Sequence, residues 1–173
     1  MLDATVGVES QDLSLLSLIT RKNKGLVILI NKWDLIENKE TNTARDFENE
    51  LKERIAPFTD VPIVTVSVLE KQRIFKAVEI AMEVYENRSR KIKTSELNDS
   101  MLAAIDRYQP PSHRGKFIKI KFVTQLPLPY QAFAFFCNHT KNVKDNYKNY
   151  LENQLRLKYN FSGVPISIFF REK

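Results

Sequence analysis

Glycine is scarce in this sequence. The 173 residues contain four, Gly7, Gly25, Gly115 and Gly163, and the closest two stand eighteen positions apart. A G-x-x-x-x-G-K-[ST] phosphate loop, a G-x-G-x-x-G dinucleotide turn and a G-x-x-G nucleic-acid clamp all need closely spaced glycines, so none of them is present. Cysteine is scarcer still. Cys137 stands alone, which rules out an intrachain disulfide, and with only His113 and His139 beside it no zinc-ligand spacing can be assembled. These absences fit a reducing compartment, and a cytoplasmic location is expected. Long apolar runs are missing too. Leu26 to Ile30 is far too short to span a bilayer, and the N-terminus shows no basic segment followed by an apolar stretch, so no membrane partner is expected.

What is present is an ordinary globular composition, 43% apolar and 28% charged, long enough for one medium domain or two small ones. The overall charge of +6 is unevenly spread. Met1 to Arg88 carries 12 basic and 15 acidic residues, a net of −3, whereas Ser89 to Lys173 carries 15 and 6, a net of +9. Such an asymmetry points to two domains with different partners, the second a candidate for binding a polyanion.

Hydrophobic periodicity divides the first half into alternating strands and helices. Met1–Asp3 reads as the tail of a strand. Gln11–Arg21 carries Leu13, Leu16 and Ile19 at helical spacing, and Leu26–Asn31 is a continuous apolar strand. Thr43–Ala56 places Ala44, Phe47, Leu51 and Ile55 on one stripe, Val61–Ser67 is β-branched, and Gln72–Tyr85 sets Ile74, Ala77, Val78, Ala81, Met82 and Tyr85 on one predicted face. The order βαβαβα predicts an α/β domain with a parallel sheet, over 1–88. A three-stranded open sheet entered at the end of its first strand is a poor independent fold, so the chain is expected to be the C-terminal piece of something longer.

The stretch Glu86–Thr94 is polar and basic, and the linker is expected there, with bounds 89–95. Beyond it, over 96–173, Thr94 or Ser95 is placed to cap a helix carrying Leu97, Met101, Ala104, Ile105 and Tyr108, ended by Pro110-Pro111. Phe117, Ile118, Ile120, Phe122 and Val123 predict a strand, with Lys116, Lys119 and Lys121 on a solvated face. Phe133–Cys137 predicts a second strand, Tyr147, Leu151, Leu155 and Tyr159 a helical stripe, and Pro165–Phe170 a third strand. The order is αββαβ, a small α+β domain.

Asn31-Lys32-Trp33-Asp34 stands at the carboxyl end of the Leu26–Asn31 strand, where open α/β sheets bind ligands. The Asp34 carboxylate can accept two parallel hydrogen bonds, and guanine offers two adjacent donors, N1–H and N2–H, that adenine lacks. Asn31 can donate to the base and tie neighbouring loops, and the Lys32 stem can lie over the base face with its ammonium in water or on backbone carbonyls. Ser67-Val68-Leu69 follows the next strand, and the N–H after Ser67 is placed to donate to guanine O6. A serine at a strand end is equally suited to capping a turn.

N-K-W-D-L followed by a serine loop resembles the fourth and fifth nucleotide motifs of translation-factor-type GTPases. The opening M-L-D-A-x-x-G-x-x-x-Q-D-L narrows the likeness, as do T-S-E-L-N, P-P, K-I-K-F, T-Q, F-C-N, Y-x-x-Y-L and F-x-G-V-P-I in the second half. Together they resemble the C-terminal part of the bacterial double-GTPase Der (EngA) family, which has two tandem GTPase domains and a KH-like domain. The resemblance implies the end of the second GTPase domain plus the KH-like domain, with the phosphate loop and both switches lying upstream. It implies GTP or GDP as ligand, with Mg²⁺ held in the full-length protein by residues outside this chain. Guanine contacts fall to Asn31, Lys32, Asp34, Ser67, Val68 and Leu69, with Val68 where the family usually has alanine. The implied partners are the large ribosomal subunit, its RNA and the upstream GTPase domains. Without the phosphate-handling parts, the chain alone is expected to hydrolyse nothing.

The stretch N-H-T-K-N-V-K lacks the glycine clamp of KH domains, so RNA contact is expected to be salt-dependent and sequence-tolerant, through Lys116, Lys119, Lys121, Lys141, Lys144, Lys148, Arg156 and Lys158. Two alternatives remain: a protein-interaction scaffold, or a freestanding RNA-binding protein with an accidental Asn-Lys-x-Asp. Trp33 is expected to pack, His139 to lie on the surface, Cys137 to be a core thiol, and His113 to have no catalytic partner.

Overall fold

The computed structural model describes all residues except 38, 39, 41, 57, 113, 114 and 173, so His113 lies outside the described residues. The chain divides into two compact units, Met1–Arg88 with Ser162–Pro165, and Ser89–Phe161 with Ile166–Lys173. The element order, βαβαβα then αββαβ, is the one the periodicity predicts.

In the first unit, β1 (Leu2–Asp3), β2 (Ile28–Asn31) and β3 (Ile63–Thr65) form a parallel sheet in that order, with Asp3 level with Asn31 and Ile30 level with Thr65. The connecting helices are α1 (Ser10–Arg21), α2 (Thr43–Arg54) and α3 (Ile74–Ser89). Ile28, Ile30, Val64 and Val66 are buried, as expected of strands covered by helices, and Leu51 of α2 is fully buried with Ile28. The α1 start is closed by a reciprocal cap in which the Glu9 N–H donates to the Asp12 carboxylate at 3.0 Å.

The α3 face departs from expectation. Ala77, Val84 and Asn87 point inward, while Val78, Met82, Tyr85 and also Phe75 are exposed, Phe75 at 86%. Apolar residues occupy two sides of this helix, and periodicity cannot tell which side meets the sheet. The first unit also takes in Ser162–Pro165. Leu26 N–H donates to the Gly163 carbonyl and Gly163 N–H to the Asp60 carbonyl, each at 2.8 Å. Gly163 has φ +74, and a Cβ there would lie 2.5 Å from a Val84 methyl, so only glycine fits.

Helix α3 runs on to Ser89, so the non-helical connection is shorter than the polar stretch suggests. Arg90 to Lys93 is held within the second unit. Gln125 and Gln131 both donate to the Arg90 carbonyl, at 2.8 and 2.9 Å, and the Ile92 N–H donates to the Gln125 side-chain oxygen at 2.9 Å.

The second unit contains α4 (Thr94–Arg107), β4 (Ile120–Gln125), β5 (Gln131–Cys137), α5 (Asp145–Lys158) and β6 (Ile166–Arg171). The sheet order is β4-β5-β6, antiparallel then parallel. Lys93 occupies the cap of α4 and gives no side-chain cap bond, where Thr94 or Ser95 was expected. Asn98 instead joins α4 to β4, exchanging bonds with the Val123 N–H and carbonyl at 2.9 and 2.8 Å. Leu97, Met101, Ile105, Leu151, Leu155, Phe133, Phe135 and Phe161 form one core, with both helices on the same face of the sheet. The Tyr147 and Tyr150 hydroxyls donate to the carbonyls of Tyr108, just past the end of α4, and of Ala104 within it, both at 2.8 Å. Phe117 lies before the strand it was expected to join and is 81% exposed. A register shift between Ile120 and Phe122 leaves both Lys121 and Phe122 outward.

Phe133 is fully buried at the centre of this core. Phe133→Ala is expected to cost about 3–5 kcal/mol of second-unit stability in urea denaturation followed by circular dichroism. A loss below about 1 kcal/mol would contradict the packing described.

Candidate functional site

Parallel pairing brings the carboxyl ends of β1, β2 and β3 to one edge. Asp3 and Asn31 are neighbours in register, and the pairing continues through Ala4 N–H to the Asn31 carbonyl at 2.9 Å and Val66 N–H to the Ile30 carbonyl at 2.8 Å. The loops that leave β2 and β3 are then joined twice. Trp33 N–H donates to the Val66 carbonyl at 3.1 Å, and Val68 N–H donates to Asn31 Oδ1 at 3.1 Å. Asn31 thus holds the Ser67 loop beside its own through its side-chain oxygen, and its NH₂ takes no partner among the described residues.

Asp34 sits in a short 3-10 turn, Trp33–Leu35, after this joint. Its carboxylate is half-buried and has no hydrogen-bond or ion-pair partner among the described residues. Trp33, by contrast, is buried against Ala4 and Ile30 and meets Phe47 edge-on with ring centres 6.2 Å apart. It packs, as expected.

Ser67 is fully buried, and its hydroxyl accepts the Glu70 N–H at 3.0 Å, so its side chain closes the turn. Its backbone exchanges bonds with Gln72, which fixes the base of the loop. Val68 and Leu69 are exposed at the tip. The Val68 N–H, the donor aimed at guanine O6 by the sequence reading, is engaged by Asn31. The Leu69 N–H takes no partner among the described residues.

Lys32 adopts the left-handed conformation, φ +60, and its ammonium lies 2.6 Å from Asp3 Oδ2. Asp3 also accepts the Thr5 N–H at 2.9 Å and the Thr5 hydroxyl at 2.7 Å. The Lys32 ammonium therefore meets a carboxylate rather than backbone carbonyls. Sequence reasoning missed Asp3 as part of this edge. Its place at the end of the first strand was the available signal, but the register that sets it beside Asn31 cannot be read from periodicity. The Lys32 ammonium, with the Thr5 donors, holds the Asp3 carboxyl down at about 2.

The basic residues of the second unit lie in separate places. Lys119 and Lys121 are exposed on either side of Ile120, and Lys116 precedes them. Asn138 pins this segment to the end of β5, its amide donating to the Phe117 carbonyl at 3.0 Å and its oxygen accepting the Lys119 N–H at 2.6 Å. Lys121, Phe136, Asn138, His139 and Glu172 line an open cavity of about 310 Å³. Lys141 lies in a short turn, Thr140–Asn142, after the exposed His139. Lys144 occupies the position before α5 without a side-chain cap bond, and Lys148 is half-buried within the helix. Cys137 is buried, and burial raises its thiol pKa, as expected of an unreactive core thiol. Among the described residues no group of three His, Cys, Asp or Glu is placed to hold a metal ion, and no helix is long and apolar enough to cross a membrane.

Two family models match the chain: the Elongation factor Tu GTP binding domain over residues 1–123 and the KH-domain-like of EngA bacterial GTPase enzymes, C-terminal, over residues 91–171. Relatives called GTPase Der match throughout. That of Christiangramia forsetii is 56% identical over 173 residues and that of Phocaeicola vulgatus 52% identical over 174 residues. All of this chain is covered, but it spans 40% of the length of each. Among solved structures, Era in complex with MgGDPNP and nucleotides 1506-1542 of 16S ribosomal RNA aligns with all of this chain and 63% of its own, at 18% identity and a TM-score of 0.41.

The Asp3–Lys32 pair generates a pH prediction. Because the folded carboxyl titrates below its ordinary value of 3.8, the pair's contribution is present above that value and is lost as pH falls through about 2. Carbon-detected NMR titration of the Asp3 carboxyl is expected to give a midpoint near 2. A midpoint at the ordinary 3.8 would show that the pair does not form.

Proposed function

The chain belongs to the GTPase Der (EngA) family, and we propose that it is the C-terminal part of a GTP-binding, GTP-hydrolysing factor of large-ribosomal-subunit assembly. In this reading the first unit completes the second GTPase domain, and the second unit is the KH-like domain that docks on ribosomal RNA. The observation that carries it is the joined edge of the parallel sheet, where Asn31 Oδ1 holds the Val68 N–H at 3.1 Å beside an Asp34 carboxylate that has no partner among the described residues.

Asp34 accepts the guanine N1–H and N2–H, and adenine leaves that carboxylate unpaired, at a cost of orders of magnitude in affinity. The Asn31 NH₂ reaches the base, the Leu69 N–H, without a partner among the described residues, donates to O6, and the Lys32 stem covers one base face while Asp3 anchors its ammonium. The side chain of Ser67 takes no part beyond shaping the turn. Phosphate cradling, Mg²⁺ binding and the attack of water on the γ-phosphate need a glycine-rich loop and switch segments. The sequence has no such loop, and these tasks fall to other segments of the full-length protein. The exposed Phe75, Val78, Met82 and Tyr85 stripe on α3 suits burial by such segments. The net charge of +9 in the second half supports RNA docking, and cytoplasmic residence follows from that partner.

Two measurements test the reading. In the full-length protein, Asp34→Asn is expected to weaken GDP binding by about a hundredfold or more and to favour xanthosine diphosphate, whose O2 accepts from the new amide. Unchanged GDP affinity would overturn the guanine assignment. The 173-residue chain alone is expected to turn over no GTP, and micromolar GTP binding by it in calorimetry would contradict the division of labour.

A further inference from the structure

The sheet of the second unit has two faces of different character. Phe133, Phe135 and Cys137 of β5 point into the core beneath α4 and α5. Ala132, Ala134 and Phe136 alternate with them and point the other way. The register sets Phe122 opposite Phe136, Thr124 and Phe169 opposite Ala134, and Arg171 opposite Phe136. One phenylalanine from each strand therefore stands on the outer face, around Ala132 and Ala134, which are themselves fully buried. Phe122 and Phe136 have ring centres 5.9 Å apart, and Phe122 and Phe169 remain 40% and 41% exposed.

Cations border these rings. Lys119 alternates with core residues Ile118 and Ile120, so it faces outward, and the register shift after Ile120 turns Lys121 and Phe122 outward together. Arg171 ends β6 beside Phe136. Glu172 is the carboxylate of the neighbouring cavity, and the Thr140 hydroxyl donates to it at 3.5 Å. The two Asn138 bonds fix the Phe117–Lys119 segment, so the platform is built before any ligand arrives.

We infer that this outer face is a stacking platform for single-stranded RNA, with Phe122, Phe136 and Phe169 taking base faces and Lys119, Lys121 and Arg171 taking phosphates. Alternating flat apolar rings and cations match a strand of bases and phosphates. A duplex keeps its base faces stacked inside and offers these rings nothing. The turn before α5 has no glycine for close backbone approach, which leaves the sheet face as the better-formed surface. The inference rests on the proposal that this unit docks on RNA.

Fluorescence anisotropy with the full-length protein tests it, using a short mixed-sequence single-stranded RNA and a duplex of equal length across a salt series. Phe122→Leu with Phe169→Leu preserves apolar volume and removes two ring faces. The pair is expected to weaken single-strand binding about tenfold or more without changing the salt slope. Lys121→Gln is expected to flatten that slope by about 0.7. Unchanged melting curves show that the variants fold. If single strands bind with steep salt dependence but the leucine pair matches the parent chain, or if the duplex binds as tightly, the stacking platform is overturned and electrostatic docking stands. If neither RNA binds at low salt, the docking proposal itself fails, and the platform with it.

Discussion

Parallel pairing of three short strands governs the first unit. Because β1, β2 and β3 run the same way, every loop that leaves them by the carboxyl end emerges at one edge. One side-chain bond then turns an edge into a site: Asn31 Oδ1 takes the Val68 N–H and binds two loops 37 residues apart in sequence. The Asp3 carboxylate does a parallel service for Lys32. Base recognition needs donors and acceptors fixed in advance, since a carboxylate that must first shed a partner loses part of its discrimination. Asp34 has no such partner among the described residues.

The second unit is stabilised differently. Its central strand, β5, is almost wholly buried, and two helices cover one side of it through leucine, methionine and aromatic contacts. Polar side chains do the joining that short loops cannot. Asn98 links α4 to β4, Gln125 and Gln131 hold the connecting segment, and Asn138 closes the far end of the sheet. Each satisfies backbone groups that would otherwise lie unpaired near the core. With that frame rigid, lysine and phenylalanine side chains are free to serve the surface.

Much of this was legible in the residues. Element order followed from hydrophobic period, Trp33 and Cys137 behaved as packing residues, and the Asn-Lys-Trp-Asp segment fell at a strand end. Relatives matching along the entire chain remove the reading of that segment as an accident in an unrelated RNA-binding protein. What stayed hidden depended on tertiary partners. The inward side of α3 was misread because Val78, Met82 and Tyr85 are as apolar as Ala77 and Val84. Phe117 looked like a core strand residue, yet the β4–β5 ladder begins only at Ile120. Asp3 entered the site through register, and the Ser67 hydroxyl proved committed to a turn. The outward pairing of Lys121 and Phe122 arose from a register shift that strict alternation does not foresee.

The base site proposed at this edge depends on the bond by which Asn31 joins the two loops. Amide hydrogen exchange at Val68 tests this most directly, because the residue is exposed and its N–H is held by that side chain alone among the described contacts. Slow exchange in the parent chain and roughly tenfold faster exchange in Asn31→Ala, with the β2–β3 amides unchanged, is the expected result. Equal exchange at Val68 in both proteins would mean that the loops are not tied, and the proposed base site would lose its frame.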